Sequence, residues 1–306
     1  MRILVVGAGS TGGDFGGRLA QAGRDVTFLV RPSRADRLRA DGLQLISPYG
    51  DVTLTPNLVT ASSIQTPYDA VLLTVKAFSL DAALDDMAPA VGSKTVILPV
   101  LNGMKHMDML DKRFGSHAVA GCVCKVATTM DDRGRIVQLN KLHDLAYGER
   151  DGSQTDRMTR LDAVMQGAGF DARLSATIER EMWEKWILLA SLGSVTCLMR
   201  GTIGEIAATQ DGADFVLRLL GEVAAIASKA GIPPSEAFMT SARTALTQKG
   251  SPLTSSMYRD LQNGSPVEAD QIIGDLLVRG RSVGIDTPLL ATAFANLSVY
   301  QNRLQA

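Results

Sequence analysis

Three glycines near the amino terminus stand in Gly7-Ala8-Gly9-Ser10-Thr11-Gly12, directly after the apolar run Ile3-Leu4-Val5-Val6. Such a run reads as a buried parallel strand, and G-x-G-x-x-G after it is the turn a pyrophosphate needs in order to lie against backbone. Gly7 permits the tight turn, Gly9 removes the Cβ that would block the phosphates, and Gly12 lets the next helix approach the sheet. The N–H groups at the start of that helix, around Ser10 and Thr11, then face the anion. A glycine-rich turn in another kind of α/β protein is the competing reading, and the context opposes it. Helical spacing follows at Phe15, Leu19 and Ala22, stops at Gly23, and leads into a second strand, Asp25-Val26-Thr27-Phe28-Leu29-Val30. A β-α-β unit within about thirty residues is what a dinucleotide fingerprint requires.

The end of the second strand selects the dinucleotide. NAD calls for a carboxylate there, to hold the ribose 2′-hydroxyl. The chain has Val30-Arg31-Pro32-Ser33-Arg34 instead, and Asp25 is at the wrong end. Arg31 can meet a 2′-phosphate through a charge-assisted contact, so NADPH/NADP+ is expected. Ser33 and Arg34 could add to it, although Arg34, with Arg37, Arg39, Asp36 and Asp41, fits a solvated helix face equally well.

Further candidates carry two readings each. Trp183-Glu184-Lys185-Trp186 opens a nearly all-apolar helix. A lysine beside a buried run is partly desolvated and suited to proton transfer. Equally, Glu181 and Lys185 form an i,i+4 pair in the favourable orientation of a surface ion pair. Glu268 completes Ser265-Pro266-Val267-Glu268, a capping box by spacing, or presents a carboxylate to ligand; residue chemistry favours the cap. Asn102-Gly103 is a turn or an amide facing the nicotinamide. Lys76 is a solvated strand-end charge or a contact to ribose or phosphate. Thr254-Ser255-Ser256-Met257 is a helix start or a source of hydroxyls for a substrate carboxylate.

The elements that must position these groups divide in two. Residues 1–175 alternate strands and helices, with strands expected at 43–46, 52–54, 69–75, 94–100, 117–129, 135–147 and 170–174 and helices at 79–90, 105–114 and 154–167. Residues 176–306 carry only helical patterns: 178–200, 211–230, 234–249, 254–262, 266–283 and 287–303. The fold class expected is a Rossmann-like α/β domain for NADP followed by an all-α substrate and catalytic domain. A cleft between them is the usual place for a substrate.

Composition narrows the function class. The chain has 306 residues and a net charge of −1, which leaves no basic field for nucleic acid and no cationic face for a membrane. Three cysteines, Cys122, Cys124 and Cys197, make no disulfide framework and suit a reducing compartment. Cys122 and Cys124 read as buried thiols of one strand rather than a metal pair. His106, His117 and His143 lack ligand spacing, and no metal is expected. The apolar stretch from Trp186 to Met199 is too short to span a bilayer. No signal peptide is expected ahead of the first strand, and the cytoplasm is the expected location. A homodimer is left open.

Read together, these motifs resemble the ketopantoate reductase (2-dehydropantoate 2-reductase) family. They are Gly7-Ala8-Gly9-Ser10-Thr11-Gly12-Gly13, Arg31, Val75-Lys76-Ala77, Asn102-Gly103-Met104, Trp183-Glu184-Lys185, Ser255-Ser256-Met257 with Asp260, and Glu268 followed by Gly274. The resemblance implies a helical domain like that of 6-phosphogluconate dehydrogenase. It makes Lys185 the general acid, Glu268 the carboxylate on the substrate hydroxyl, and Ser256 a hydroxyl on the substrate carboxylate. Asn102 falls at the cofactor–substrate junction, and Arg31 and Lys76 at NADPH-binding positions. One departure stands out. Members acting on ketopantoate usually carry asparagines four and eight residues after the lysine, where this chain has Leu189 and Gly193. The leading expectation is NADPH-dependent reduction of a 2-oxo acid, with ketopantoate to pantoate in pantothenate and coenzyme A biosynthesis as the reaction implied. A less polar carbonyl or imine substrate is the alternative, and a non-catalytic NADP(H) sensor the third reading.

Overall fold

The structure, a computed structural model, describes residues 1–305. Its contacts divide the chain into two units: 1–101 with 106–179, and 102–105 with Arg180 onward. The division falls four residues later than the pattern change at 176, and the short segment holding Asn102 and Gly103 groups with the helical unit.

The chain first forms β1 (Ile3–Val6), α1 (Ser10–Gln21), β2 (Val26–Leu29), α2 (Pro32–Asp41), β3 (Leu43–Ile46), β4 (Val52–Leu54), β5 (Asn57–Val59) and β6 (Ala70–Leu73). There follow α3 (Leu80–Met87), β7 (Val96–Pro99), α4 (Lys105–Phe114), β8 (Gly121–Met130), β9 (Ile136–Gly148), α5 (Asp156–Met165) and β10 (Asp171–Leu174). Five strands make a parallel sheet in the order β5-β2-β1-β6-β7. β1 and β6, at its centre, are buried at every residue, as strands covered on both faces must be. β1 pairs in register with both neighbours, Ile3 opposite Val26 and Ala70. The edge strand β5, only three residues long, was not expected from the sequence. A second sheet runs β10-β9-β3-β4, with β8 antiparallel to β9. Cys122 and Cys124 share the buried face of β8 as free thiols.

Helix α1 touches strands of both sheets, and its sequence explains how. A Cβ on Gly12 would lie 2.2 Å from the Gly7 carbonyl oxygen, and one on Gly16 2.6 Å from the Phe28 ring, so these two glycines face the parallel sheet. A Cβ on Gly13 would lie 2.1 Å from Ile136, and one on Gly17 3.0 Å from Leu45, so this pair faces the second sheet. The helix thus carries two stripes of glycine at i,i+4 spacing, one for each layer. Asp14 and Arg18 occupy the remaining arc and are buried as well. The His143 ring meets the Asp14 carboxylate at 2.7 Å, out of hydrogen-bonding alignment, and stacks among Phe15 and Phe170. His143 is therefore a core residue of this layer.

The second unit is helical: α6 (Ile178–Met199), α7 (Ile203–Ala207), α8 (Gly212–Lys229), α9 (Glu236–Thr247), α10 (Ser256–Gln262), α11 (Asp275–Ser282) and α12 (Pro288–Gln305). α8 is the hub, packing against α7, α9, α11 and α12. Carboxylates join the helices at their starts. Glu222 of α8 accepts from the Leu289 and Leu290 N–H groups at the start of α12, and Glu184 of α6 accepts from Ser235 N at the start of α9. No helix among the described residues is long and apolar enough to cross a membrane.

The glycines of the first turn separate by stability. Gly12→Ala places its methyl on backbone that cannot yield and is expected to cost about 3 kcal/mol in urea unfolding. Gly9→Ala meets nothing within 4 Å. Its poorer capping is offset by a stiffer unfolded chain, so its stability should stay within about 1 kcal/mol of the parent.

Candidate active site

The glycine turn is a tight strand-to-helix connection. Gly7 sits at φ +96°, a conformation that favours glycine, and Thr74 Oγ1 fixes the turn by donating to the Val6 and Gly7 carbonyls at 2.7 and 3.0 Å. Gly9 is different. Its φ is −84°, open to any residue, and a Cβ there would meet no atom of the protein. Neither backbone nor packing asks for glycine at this position. Gly9 caps α1 with no side-chain partner, and no acidic residue stands in the first turn. The first N–H groups of the helix, at Ser10, Thr11 and Gly12, are left for an anion. These features fit a dinucleotide.

The arginines after β2 take separate roles. Arg34 turns inward, donating to the Ala8 carbonyl from Nε and Nη2 at 3.2 and 3.1 Å and more weakly to Gly134 on the β8–β9 hairpin. Burial, and then neighbouring Arg37, lower its pKa. Arg34 is a strut between the glycine turn and the hairpin rather than part of a solvated face. Arg31 is exposed at the N-cap of α2, and its guanidinium bonds no described residue. Lys76 is exposed after β6, with Nζ 6.0 Å from the centroid of the exposed Phe78 ring.

The second group of candidates gathers on a wide helical turn. Residues Asp270–Gly274 form a π-helix ahead of α11, a form often found at functional sites. Trp186 donates its indole N–H to the Ile272 carbonyl at 2.8 Å. From the other side Gly103, at φ +80°, presses so close that a Cβ would sit 2.5 Å from the Gln271 carbonyl oxygen. Lys185 precedes Trp186, Asn102 precedes Gly103, and Glu268 lies four residues before Ile272, whose N–H donates to its carbonyl at 3.0 Å. All three candidates are half-buried, and the Asn102 amide bonds no described residue. One backbone turn is therefore approached by the chain neighbours of Lys185 and Asn102 and begins just after Glu268.

The capping box expected at Ser265 and Glu268 does not form. The helix begins at residue 269, because residues before it are held extended. Gln301 of α12 accepts from Val267 N and donates to Val267 O, both at 3.0 Å, and Tyr300 donates to the Ser265 carbonyl. Glu268 therefore stands one residue before the helix rather than at its third position. Among the serines the cap is Ser255, buried, accepting from Tyr258 N and bonded to Thr196 Oγ1, both at 2.9 Å. Ser256 is exposed, and its hydroxyl bonds no described residue. Sequence reasoning missed Trp186 as the tie to the π turn, and it missed Gln301. An indole buried next to a candidate lysine was the available signal for the first; nothing local marked the second.

The cofactor candidates Gly7, Gly9, Ser10, Thr11, Gly12, Arg31 and Lys76 lie in the first unit, and Lys185, Glu268, Ser256 and Asn102 in the second. Among the described residues no three His, Cys, Asp or Glu side chains cluster as metal ligands.

Comparison with known proteins agrees with this layout. The family model described as ketopantoate reductase PanE/ApbA matches residues 3–152, and that of its C-terminal domain matches 177–301. An uncharacterised oxidoreductase of Bacillus subtilis is 34% identical over 98% of this chain and 99% of its own. A solved 2-dehydropantoate 2-reductase of Geobacter metallireducens is 26% identical, with a TM-score of 0.87 over 98% of this chain and 99% of its own. A D-mandelate dehydrogenase, solved with NADH and anilino(oxo)acetate, shares the fold at 20% identity, with a TM-score of 0.87 over the whole of both chains. With two family models covering both units, the chain belongs to the ketopantoate reductase family of NAD(P)H-dependent oxidoreductases.

Proposed function

We propose that the chain reduces a 2-oxo acid to the 2-hydroxy acid with NADPH, and that Lys185 is the general acid. The observation that supports this reading is the π turn at 270–274, which begins two residues after Glu268 and which Trp186 and Gly103, the chain neighbours of Lys185 and Asn102, both approach. Bound NADPH supplies a hydride to the carbonyl carbon. The Lys185 ammonium hydrogen-bonds the carbonyl oxygen, stabilises the charge that grows on it, and gives it a proton. Asn102 donates its amide at the junction of cofactor and substrate. Ser256 binds the substrate carboxylate, and Glu268 accepts from the new hydroxyl. One carbonyl becomes one alcohol, with the hydride on carbon and the lysine proton on oxygen.

Arg31 is assigned the 2′-phosphate, because its guanidinium is exposed and uncommitted while Arg34 is bonded to backbone. Gly9, the first turn of α1 and Lys76 take the remaining phosphates and ribose. Ketopantoate is the substrate that the family name supplies, and its product, pantoate, would serve coenzyme A biosynthesis. Three buried free thiols fit a cytoplasmic enzyme. A pure NADP(H) sensor is disfavoured, since it has no use for Lys185, Asn102, Ser256 and Glu268 together.

Steady-state NADPH oxidation with a panel of 2-oxo acids tests the reading. Lys185→Ala is expected to lower kcat by about a hundred- to ten-thousand-fold with NADPH affinity retained; full turnover would remove the lysine from the reaction. Arg31→Ala should weaken NADPH binding at least tenfold and leave NADH binding unchanged, a loss of one charged contact. Gly9→Ala, folded by the stability argument above, should lose NADPH affinity in calorimetric titration.

A further inference from the structure

Lys185 lies on a line along α6 that passes Leu188 and Leu189 one turn later and Gly193 two turns later. Leu188 and Leu189 are half-exposed like the lysine itself. Gly193 is covered. The Met257 thioether methyl occupies the place where its side chain would be, so close that a Cβ would lie 2.5 Å from Cε. Met257 is itself held, because the preceding Ser255 is both the N-cap of α10 and a hydrogen-bond partner of Thr196 on α6.

The hydroxyls of α6 are turned elsewhere. Ser191 and Ser194 are fully buried, at helical positions rotated away from the lysine line, and neither Oγ has a hydrogen-bond partner. Thr196 Oγ1 bonds the Leu192 carbonyl and Ser255. Beyond Lys185 toward the C-terminal end of α6, this line carries two leucines and a glycine covered by Met257 of α10, with no donor or acceptor side chain.

We propose that the substrate is a 2-oxo acid whose third substituent is wholly apolar, and that Leu188, Leu189 and Met257 seated on Gly193 select it. This rests on the assignment of Lys185 to the carbonyl oxygen. The carbonyl carbon of a 2-oxo acid bears an oxygen, a carboxylate and one further group. With the oxygen at Lys185 and the carboxylate at Ser256, the further group runs along this face of α6. A hydroxyl on it would give up water and find no partner, whereas a methyl would bury against methyls.

Two substrates that differ by one hydroxyl supply the test. 3,3-Dimethyl-2-oxobutanoate and its 4-hydroxy derivative, ketopantoate, are compared by kcat/KM with the full chain and NADPH. The hydroxyl-free acid is expected to be favoured about tenfold or more. Equal or better use of ketopantoate would overturn the inference and leave the reductase reading standing. If neither these nor other 2-oxo acids are reduced while NADPH binds, the reductase reading fails and this inference with it. Leu189→Asn, at a half-exposed site that should fold, is expected to shift the ratio about tenfold toward ketopantoate through KM, with NADPH affinity unchanged. An unmoved ratio in a folded Leu189→Asn protein would show that this face does not select the substrate, and would equally overturn the inference.

Discussion

The first unit depends on the backbone-distance packing of α1 against two sheets. Four glycines, two for each layer, remove every side chain that would hold the helix away. Close contact with the Gly7 carbonyl fixes where α1 begins relative to the end of β1. That spacing places the free N–H groups of the first turn over the space cleared by Gly9. Thr74 at the end of the neighbouring strand donates to the Val6 and Gly7 carbonyls of the same turn. The open first turn of α1 is therefore a result of layer packing. If it holds the cofactor phosphates as proposed, a turn already in place loses little freedom when it is filled, which favours binding.

The second unit solves a different problem. In the proposed reaction a general acid, an amide and a carboxylate from distant parts of the chain must meet, and none of the three can carry the others. Their neighbours do so. Trp186 takes the surplus carbonyl that a π turn leaves open, and Gly103 lets a loop lie against the same turn. The α12 side chain of Gln301 pairs with both backbone groups of Val267, the residue before Glu268, at the approach to the turn. These residues touch no substrate in the reading given above, yet the spacing of the reacting groups depends on them.

Much of this was legible in the sequence. Gly7 and Gly12 announce a tight turn and a close approach, and both are found. Long apolar periodicities gave the helices of the second unit to within a few residues, except the five-residue α7, which is too short to show a period. What escaped has physical causes. Gly13 and Gly17 could not be assigned a role, because the second sheet joins strands far apart in sequence and periodicity does not show which layer a helix faces. β5 is three residues long and carries no alternation. The Ser265–Glu268 spacing is sound local chemistry, and it lost to Gln301 and Tyr300, which arrive from the last helix. Asn102 reads by sequence as the tail of a β-strand, yet its contacts belong with the helices.

The double glycine stripe has a consequence for how the chain reaches this state. Glycine disfavours helix by about 1 kcal/mol per residue relative to alanine, so α1 has little tendency to exist alone. Only contact with both sheets offsets that deficit, and the strands of the second sheet include β8, β9 and β10, which arrive late in the chain. The helix that opens the sequence therefore belongs among the last elements to become firm. A nascent or partly unfolded first unit, although it already contains the whole glycine motif, has no rigid helix end to offer a dinucleotide. Cofactor capture thus reports completion of the entire double-layered unit, and bound cofactor in turn shifts the balance toward that completed state.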